Sequence, residues 1–143
     1  MEAITTAKTV AKFFLEIETV NYRSRNKRIA YLTYFAYAHF LKQGKLFSEK
    51  IYATRSGIKI ETLGSLSSLK ECDKLETSTL KNRVARYLRE IYEEYKDYPA
   101  YIMKEIIASE DAYIEASLSN SKVIEDYKLA ETYHNYENLK ETI

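Results

Sequence analysis

Four cations crowd into six residues at Arg23, Arg25, Lys27 and Arg28, the densest local concentration of basic chemistry in the chain. They fall where a long apolar stretch, Asn26 to Phe47, begins as a helix. A helix N-terminus carries free N–H groups and partial positive charge, so cations are disfavoured there and an anion is stabilised. The cluster therefore points to an anion: a phosphate of nucleic acid, an acidic partner surface, or the acidic half of the protein itself. A solvated loop is the alternative.

Catalytic and metal chemistry find less to work with. The histidines are His39 and His134, and Glu131-x-x-His134 has the spacing used in di-iron helical bundles. Such bundles need a second pair and further facing Glu residues, which the sequence lacks. Cys72 and the serines show no nucleophile elbow, Gly-rich loop or Cys/His pairing, and nothing has the form of a nucleotide cradle. The Glu residues between 90 and 97 read as a solvated helix face. The sequence thus predicts a non-catalytic protein that uses no cofactor and no metal, with His39 a packed or edge histidine.

The elements that must position the cations are helical. Ile29, Leu32, Phe35/Ala36 and Phe40 recur at helical spacing, and Gly44 supplies the stop, after which Leu46 and Phe47 fold back. Four aromatics within seven residues, Tyr34, Phe35, Tyr37 and Phe40, call for cover on both flanks by protein or by a partner. Before this spine, Thr5 and Thr6 cap a helix to about Glu18 with Val10, Phe13, Phe14 and Ile17 on one face. After it, Lys50 to Ala53 and Ile58 to Glu61 alternate like two short strands around Ser56-Gly57. Gly64 to Ser68 reads as loop, with Leu63, Leu66 and Leu69 pinning it to the core.

Ser78 opens the next helix, with Leu80, Val84, Tyr87/Leu88, Ile91 and Tyr95 on its stripe. Its basic first half and acidic second half oppose the macrodipole, so packing must hold it. Pro99 suits the start of a helix to about Ile107. Ser109 followed by Glu110 and Asp111 reads as the cap of another, and Ser119 to Ser121 as the cap of a last one carrying Val123/Ile124, Tyr127, Ala130 and Tyr133/Tyr136. The expected architecture is mainly α: a compact single-domain bundle of five to seven helices with one short β-hairpin, residues 1–136 forming the domain and 137–143 a frayed tail.

Composition agrees with that class. The 143 residues contain 3 Gly, 1 Pro, 14 Tyr and no Trp, with 45% hydrophobic and 30% charged residues, which suits one helical domain with few turns. Residues 1–71 hold 12 Lys/Arg and 6 Asp/Glu, a net +6, and residues 72–143 hold 10 and 15, a net −5, which together give the overall +1. That asymmetry can steer a charged partner. No apolar run is long enough for a membrane span, Glu2, Lys8, Lys12 and Glu16 do not suit a signal peptide, and a single Cys suits a reducing compartment; a cytoplasmic protein is expected.

Several of these stretches resemble one known family. Val10 to Leu15, the Asn26 to Phe47 run ending in Gly44-Lys45-Leu46-Phe47, Glu49 to Ala53, Tyr87 to Tyr95, Ala100 to Ile107 and Glu110 to Tyr113 together are similar to the Panacea domain, in its SocA-like and phage-associated GepA-like forms. Gly57-Ile58, Ala108 and Tyr113 stand where family members carry Gly-Pro, His and Trp. The resemblance implies an antitoxin that neutralises a toxin by direct binding and occlusion, or alternatively a phage or mobile-element accessory protein that binds a host factor or nucleic acid. Either would work in the cytoplasm of a bacterial or phage-infected cell. The residues expected to meet a protein partner are Arg23, Arg25, Lys27 and Arg28 with exposed members of Tyr34, Tyr37, Tyr52 and Tyr101.

Overall fold

The computed structural model describes residues 2–18, 25–63 and 80–142, with side chains to residue 134. Arg23, Cys72, Ser78 and the Gly64 to Ser68 segment lie outside the described residues. Among those described, six helices and one hairpin follow in the order α1 (Ala7–Ile17), α2 (Arg25–Phe40), β1 (Ile51–Thr54), β2 (Gly57–Ile60), α3 (Asn82–Tyr95), α4 (Ala100–Ala108), α5 (Asp111–Leu118) and α6 (Asp126–Thr142). The mainly α class with a β-hairpin is as the sequence predicts. The helix over 126–142 continues through the stretch read as a tail.

Helix α2 is the axis. Every residue from Tyr31 to Phe40 is buried, because α1, α3, α4, α6 and β2 all pack on it. Its sequence has no polar stripe, and a helix apolar all round must be enclosed. The enclosure comes from the protein itself. Thr33 fits because its hydroxyl donates to the Ile29 carbonyl at 2.7 Å, one turn back. Past the helix end, the Gly44 N–H returns to the Phe40 carbonyl, and Leu46 and Phe47 are fully buried, the Phe47 ring 4.6 Å from that of Tyr37.

Helix α1 packs on α2 and α3. Thr6 caps it through its side-chain oxygen, which accepts from the Thr9 N–H, and Val10, Phe13 and Phe14 turn inward. The segment that precedes it is tied to the loop after α2, where Ile4 and Thr5 donate to the Lys45 and Leu46 carbonyls.

In the hairpin, Ile51 pairs with Ile60 and Thr54 with Gly57. The left-handed backbone falls on Gly57, at φ +128°, and a Cβ there would meet the Tyr31 hydroxyl at 3.0 Å. Backbone strain and that collision act together, so Gly57→Ala is expected to cost about 1–3 kcal/mol. Urea unfolding followed by circular dichroism checks this.

Two boundaries differ from the sequence reading. The Ser109 hydroxyl donates to the Ile106 carbonyl and so closes α4, while α5 has Glu110 at its N-cap without a side-chain cap bond. Residues 122–124 are not helical: Lys122 has a left-handed backbone, at φ +62°, Ala53 donates to its carbonyl and Ile124 donates to that of Ile51, which lays Val123 against the free edge of β1. Helix α6 therefore starts at Asp126, and its inward positions are Leu129 and Tyr133, with Tyr127 exposed. The acidic half thus interleaves with the basic one, as the Lys45–Asp126 ion pair at 3.5 Å also shows.

Candidate functional site

The first turn of α2 separates the predicted cations. Arg25 is half-buried and donates to the Leu15 carbonyl at 2.9 Å. Lys27 is exposed. Arg28 turns inward and is only 1% exposed, which corrects its assignment to a partner surface. Its Nε donates to Glu18 at 2.8 Å, its Nη2 to the Lys96 carbonyl at 2.9 Å, and its Nη1 to the Tyr98 carbonyl. These carbonyls lie just past the end of α3, where the helix dipole is negative and a guanidinium is favoured. Glu18 is held from its other side by the Tyr92 hydroxyl at 3.0 Å. The network ties the end of α1, the start of α2 and the end of α3 together.

The tyrosines divide in the same way. Tyr34 and Tyr37 are buried, so neither presents a face to a partner. Tyr34 donates to Glu110 at 2.5 Å and Tyr37 to Asp126 at 2.6 Å. Burial, then the neighbouring carboxylate, pushes both phenols well above their ordinary range, so both stay neutral donors. Tyr52 is half-buried beneath its bridge to Val123. Tyr101 remains 66% exposed.

Lys27 and Tyr101, far apart in sequence, line one cleft of about 330 Å³ together with Tyr31, Pro99, Ala100 and Lys104. The geometry follows from Pro99, which has extended backbone and starts α4 beside the first turn of α2. Tyr101 and Lys104 are three residues apart and so share a face of α4. Tyr31 is buried at the base, and Tyr98, 41% exposed, precedes Pro99. The result is an aromatic surface flanked by two ammonium groups. Among the described residues, no ion pair holds Lys27 or Lys104. Lys104 was not singled out from the sequence; its place three residues after Tyr101 on a helix was the available signal.

Other concave regions are differently composed. A cleft of about 400 Å³ beside the β1 edge holds Tyr37, Lys45, Lys50, Glu125, Asp126 and Tyr127, and its acids and bases partly neutralise each other. A smaller one, about 260 Å³, includes His39, Lys42, Glu90 and Glu94. His39 is a packed histidine: its Nε2 lies 2.6 Å from the Tyr95 hydroxyl, and its ring meets that of Tyr133 edge-on at 4.7 Å. Glu131 pairs with Lys128 at 4.0 Å, and among the described residues no three His, Cys, Asp or Glu converge as a metal site.

One residue that sequence reasoning placed as a simple helix-start acid has a different environment. Glu110 is half-buried, and desolvation pushes its carboxyl up to about 7 against the lowering effect of hydroxyls from Tyr133 and Tyr34. Its partners are 76 and 23 positions away in sequence, so no local pattern reveals them.

Among the described residues the chain is a mainly α domain with a β-hairpin and a lysine-flanked tyrosine cleft, and no described helix is long and apolar enough to cross a membrane. No family model matches the chain, and neither does any curated protein or solved structure.

Proposed function

We propose that this chain is a non-catalytic protein-binding module, antitoxin-like, which neutralises a partner toxin by seating an acidic surface of it against the Lys27–Tyr101–Lys104 cleft and occluding it. The observation that carries this reading is the meeting of Lys27 and Tyr101 with Lys104 around one cleft. Tyrosine anchors ringed by cations are the composition of binding hot spots, because an aromatic ring buries much area at little entropic cost while charge selects the partner. Tyr98 extends the aromatic surface. Nucleic acid is less well served at this cleft: Arg28 is enclosed and Arg25 is engaged with a backbone carbonyl, so of the described cations in the predicted cluster Lys27 is the exposed one beside Lys104.

The test is affinity capture of the partner from the native host or from phage-infected cells, with wild type, Lys27→Glu/Lys104→Glu and Tyr101→Ala in parallel. A stoichiometric protein partner is expected with wild type. Tyr101→Ala should weaken its binding by about 30-fold, the size of a hot-spot loss, and the double charge reversal should weaken it more at low salt than at high salt. Undiminished capture by both variants, or recovery of nucleic acid in place of protein, overturns the reading.

A further inference from the structure

The β-hairpin has two outer edges, and the fold fills one of them. Glu61 donates to the Lys50 carbonyl just outside the Ile51–Ile60 pair. Hydrogen-bonded pairs alternate along an antiparallel ladder, so Tyr52 and Thr54 bond across to Lys59 and Gly57, while Ile51, Ala53, Ile58 and Ile60 turn their backbone groups outward. On the β1 side those groups are met: Ala53 donates to the Lys122 carbonyl, and Ile51 accepts from Ile124. On the β2 side the Ile60 carbonyl accepts from the Leu63 N–H. Among the described residues no hydrogen bond reaches the N–H or carbonyl of Ile58 or the N–H of Ile60.

Buried backbone polar groups are almost always paired, so groups left unpaired belong beside water. Ile58 is half-buried, and Arg55, Ser56, Lys59, Glu61 and Thr62 around it are exposed. Such an edge is a template for one more strand.

The register defines which strand fits. Ile51, Ala53, Ile58 and Ile60 share the face turned to the core, and the exposed Lys59 stands on the opposite face. A strand added beside β2 keeps that alternation, with apolar residues covering Ile58 and the residues between them facing Lys59. Among the described residues neither Arg55 nor Lys59 has an ion pair. The acid nearby, Glu61, already accepts from the Lys50 N–H at 2.6 Å. Residues that face Lys59 are therefore best acidic. A second copy of the chain fits poorly, because pairing Ile58 with Ile60 across a dimer sets Lys59 directly opposite its own counterpart, and like charges there repel.

The edge also continues the cleft. Tyr31, which lines the cleft, has its hydroxyl against Gly57 at the start of β2. Lys27 and Lys104 thus extend the cations of β2 onto α2 and α4.

We propose that the open edge of β2 takes an extended segment of a protein partner, alternating acidic and apolar, as an added strand. Backbone bonds to Ile58 and Ile60 supply the pairing, and Lys59, Arg55 and the cleft lysines select acidic chemistry. That this segment belongs to the partner seated at the cleft rests on the binding reading above; the open edge itself does not.

The experiment is an amide NMR titration of the whole chain with a blocked peptide of alternating Asp and Val, about eight residues long, within the span of natural strands. A peptide of alternating Lys and Val is the control. The acidic peptide is expected to shift the Ile58 and Ile60 amides downfield and to slow their exchange at least about tenfold, and the basic one to leave them unmoved. Ile58→Pro removes the outward N–H without taking a bond from the ladder to β1, and should weaken the acidic peptide about fivefold. Lys59→Glu should weaken it more at low salt than at high salt. The wild-type titration does not depend on either variant folding. Unmoved Ile58 and Ile60 amides beside shifted Tyr101 and Lys104 amides overturn the strand and leave the cleft reading standing. The opposite pattern supports the strand and separates it from the cleft. Equal response to the two peptides, or Ile58 protection that grows with protein concentration alone, as a second copy would give, overturns the proposal.

Discussion

Replacing Arg28 with methionine is expected to lower the stability of this domain by about 3–5 kcal/mol, the cost of breaking a buried ion pair from one side. Methionine keeps much of the stem volume but none of the donors. Glu18, whose side chain has no exposed surface, would keep the Tyr92 hydroxyl and lose its cation. The carbonyls of Lys96 and Tyr98 would lose their donor as well, and an unsatisfied buried acceptor adds to the penalty. For a chain of this length the melting temperature should fall by roughly 8–15 °C. Urea unfolding gives the free energy directly.

A companion variant separates the charge from the packing. In Arg28→Met/Glu18→Gln the abandoned carboxylate is gone, so part of the loss should return, and the two substitutions should be strongly non-additive. Had Arg28 been a partner contact, its removal would change stability by less than about 0.5 kcal/mol, as exposed substitutions do. Such a small change would overturn the role given to the network.

That contrast shows what the sequence could and could not reveal. Arg28 belongs to a run of cations, and the run reads naturally as a patch, because local sequence carries charge but not direction. Its inward turn depends on carbonyls 68 and 70 residues away. The same limit applies to Tyr34 and Tyr37. Their helix was legible as the core spine from Ile29, Leu32, Phe35 and Phe40, yet the acceptors of their hydroxyls, Glu110 and Asp126, are 76 and 89 residues distant.

Helix α1, the body of α3 and the hairpin were legible because periodicity and turn residues are local signals. The starts of α5 and α6 were not. A serine before acids can equally close the helix it follows, as Ser109 does. Val123 and Ile124 stay out of the helix because β1 offers them an edge, and that choice is made by a strand some seventy residues earlier. Lys27 and Tyr101 were each named from the sequence for separate reasons. Their meeting is a product of where Pro99 starts α4.

Phe35→Ala should be comparably damaging, about 3–5 kcal/mol, through a cavity in place of a lost charge. Phe35 has no exposed surface. Its ring stacks on Tyr95 at 4.0 Å with the planes 3° apart and meets Tyr34 edge-on at 5.6 Å. Truncation would remove the surface against which Tyr95 is held, and with it the fixed position of the hydroxyl that pairs with His39. It would also loosen Tyr34, whose hydroxyl reaches Glu110. Because the chain has 14 Tyr and no Trp, near-ultraviolet circular dichroism reports tyrosine packing, and its signal should weaken in the folded variant. Phe35→Leu, which fills most of the space, should cost clearly less. Tyr101→Ala, on the docking face, should stay within about 0.5 kcal/mol of wild type while weakening the partner. If Phe35→Ala were as benign as Tyr101→Ala, α2 would not be the enclosed axis on which the other helices pack.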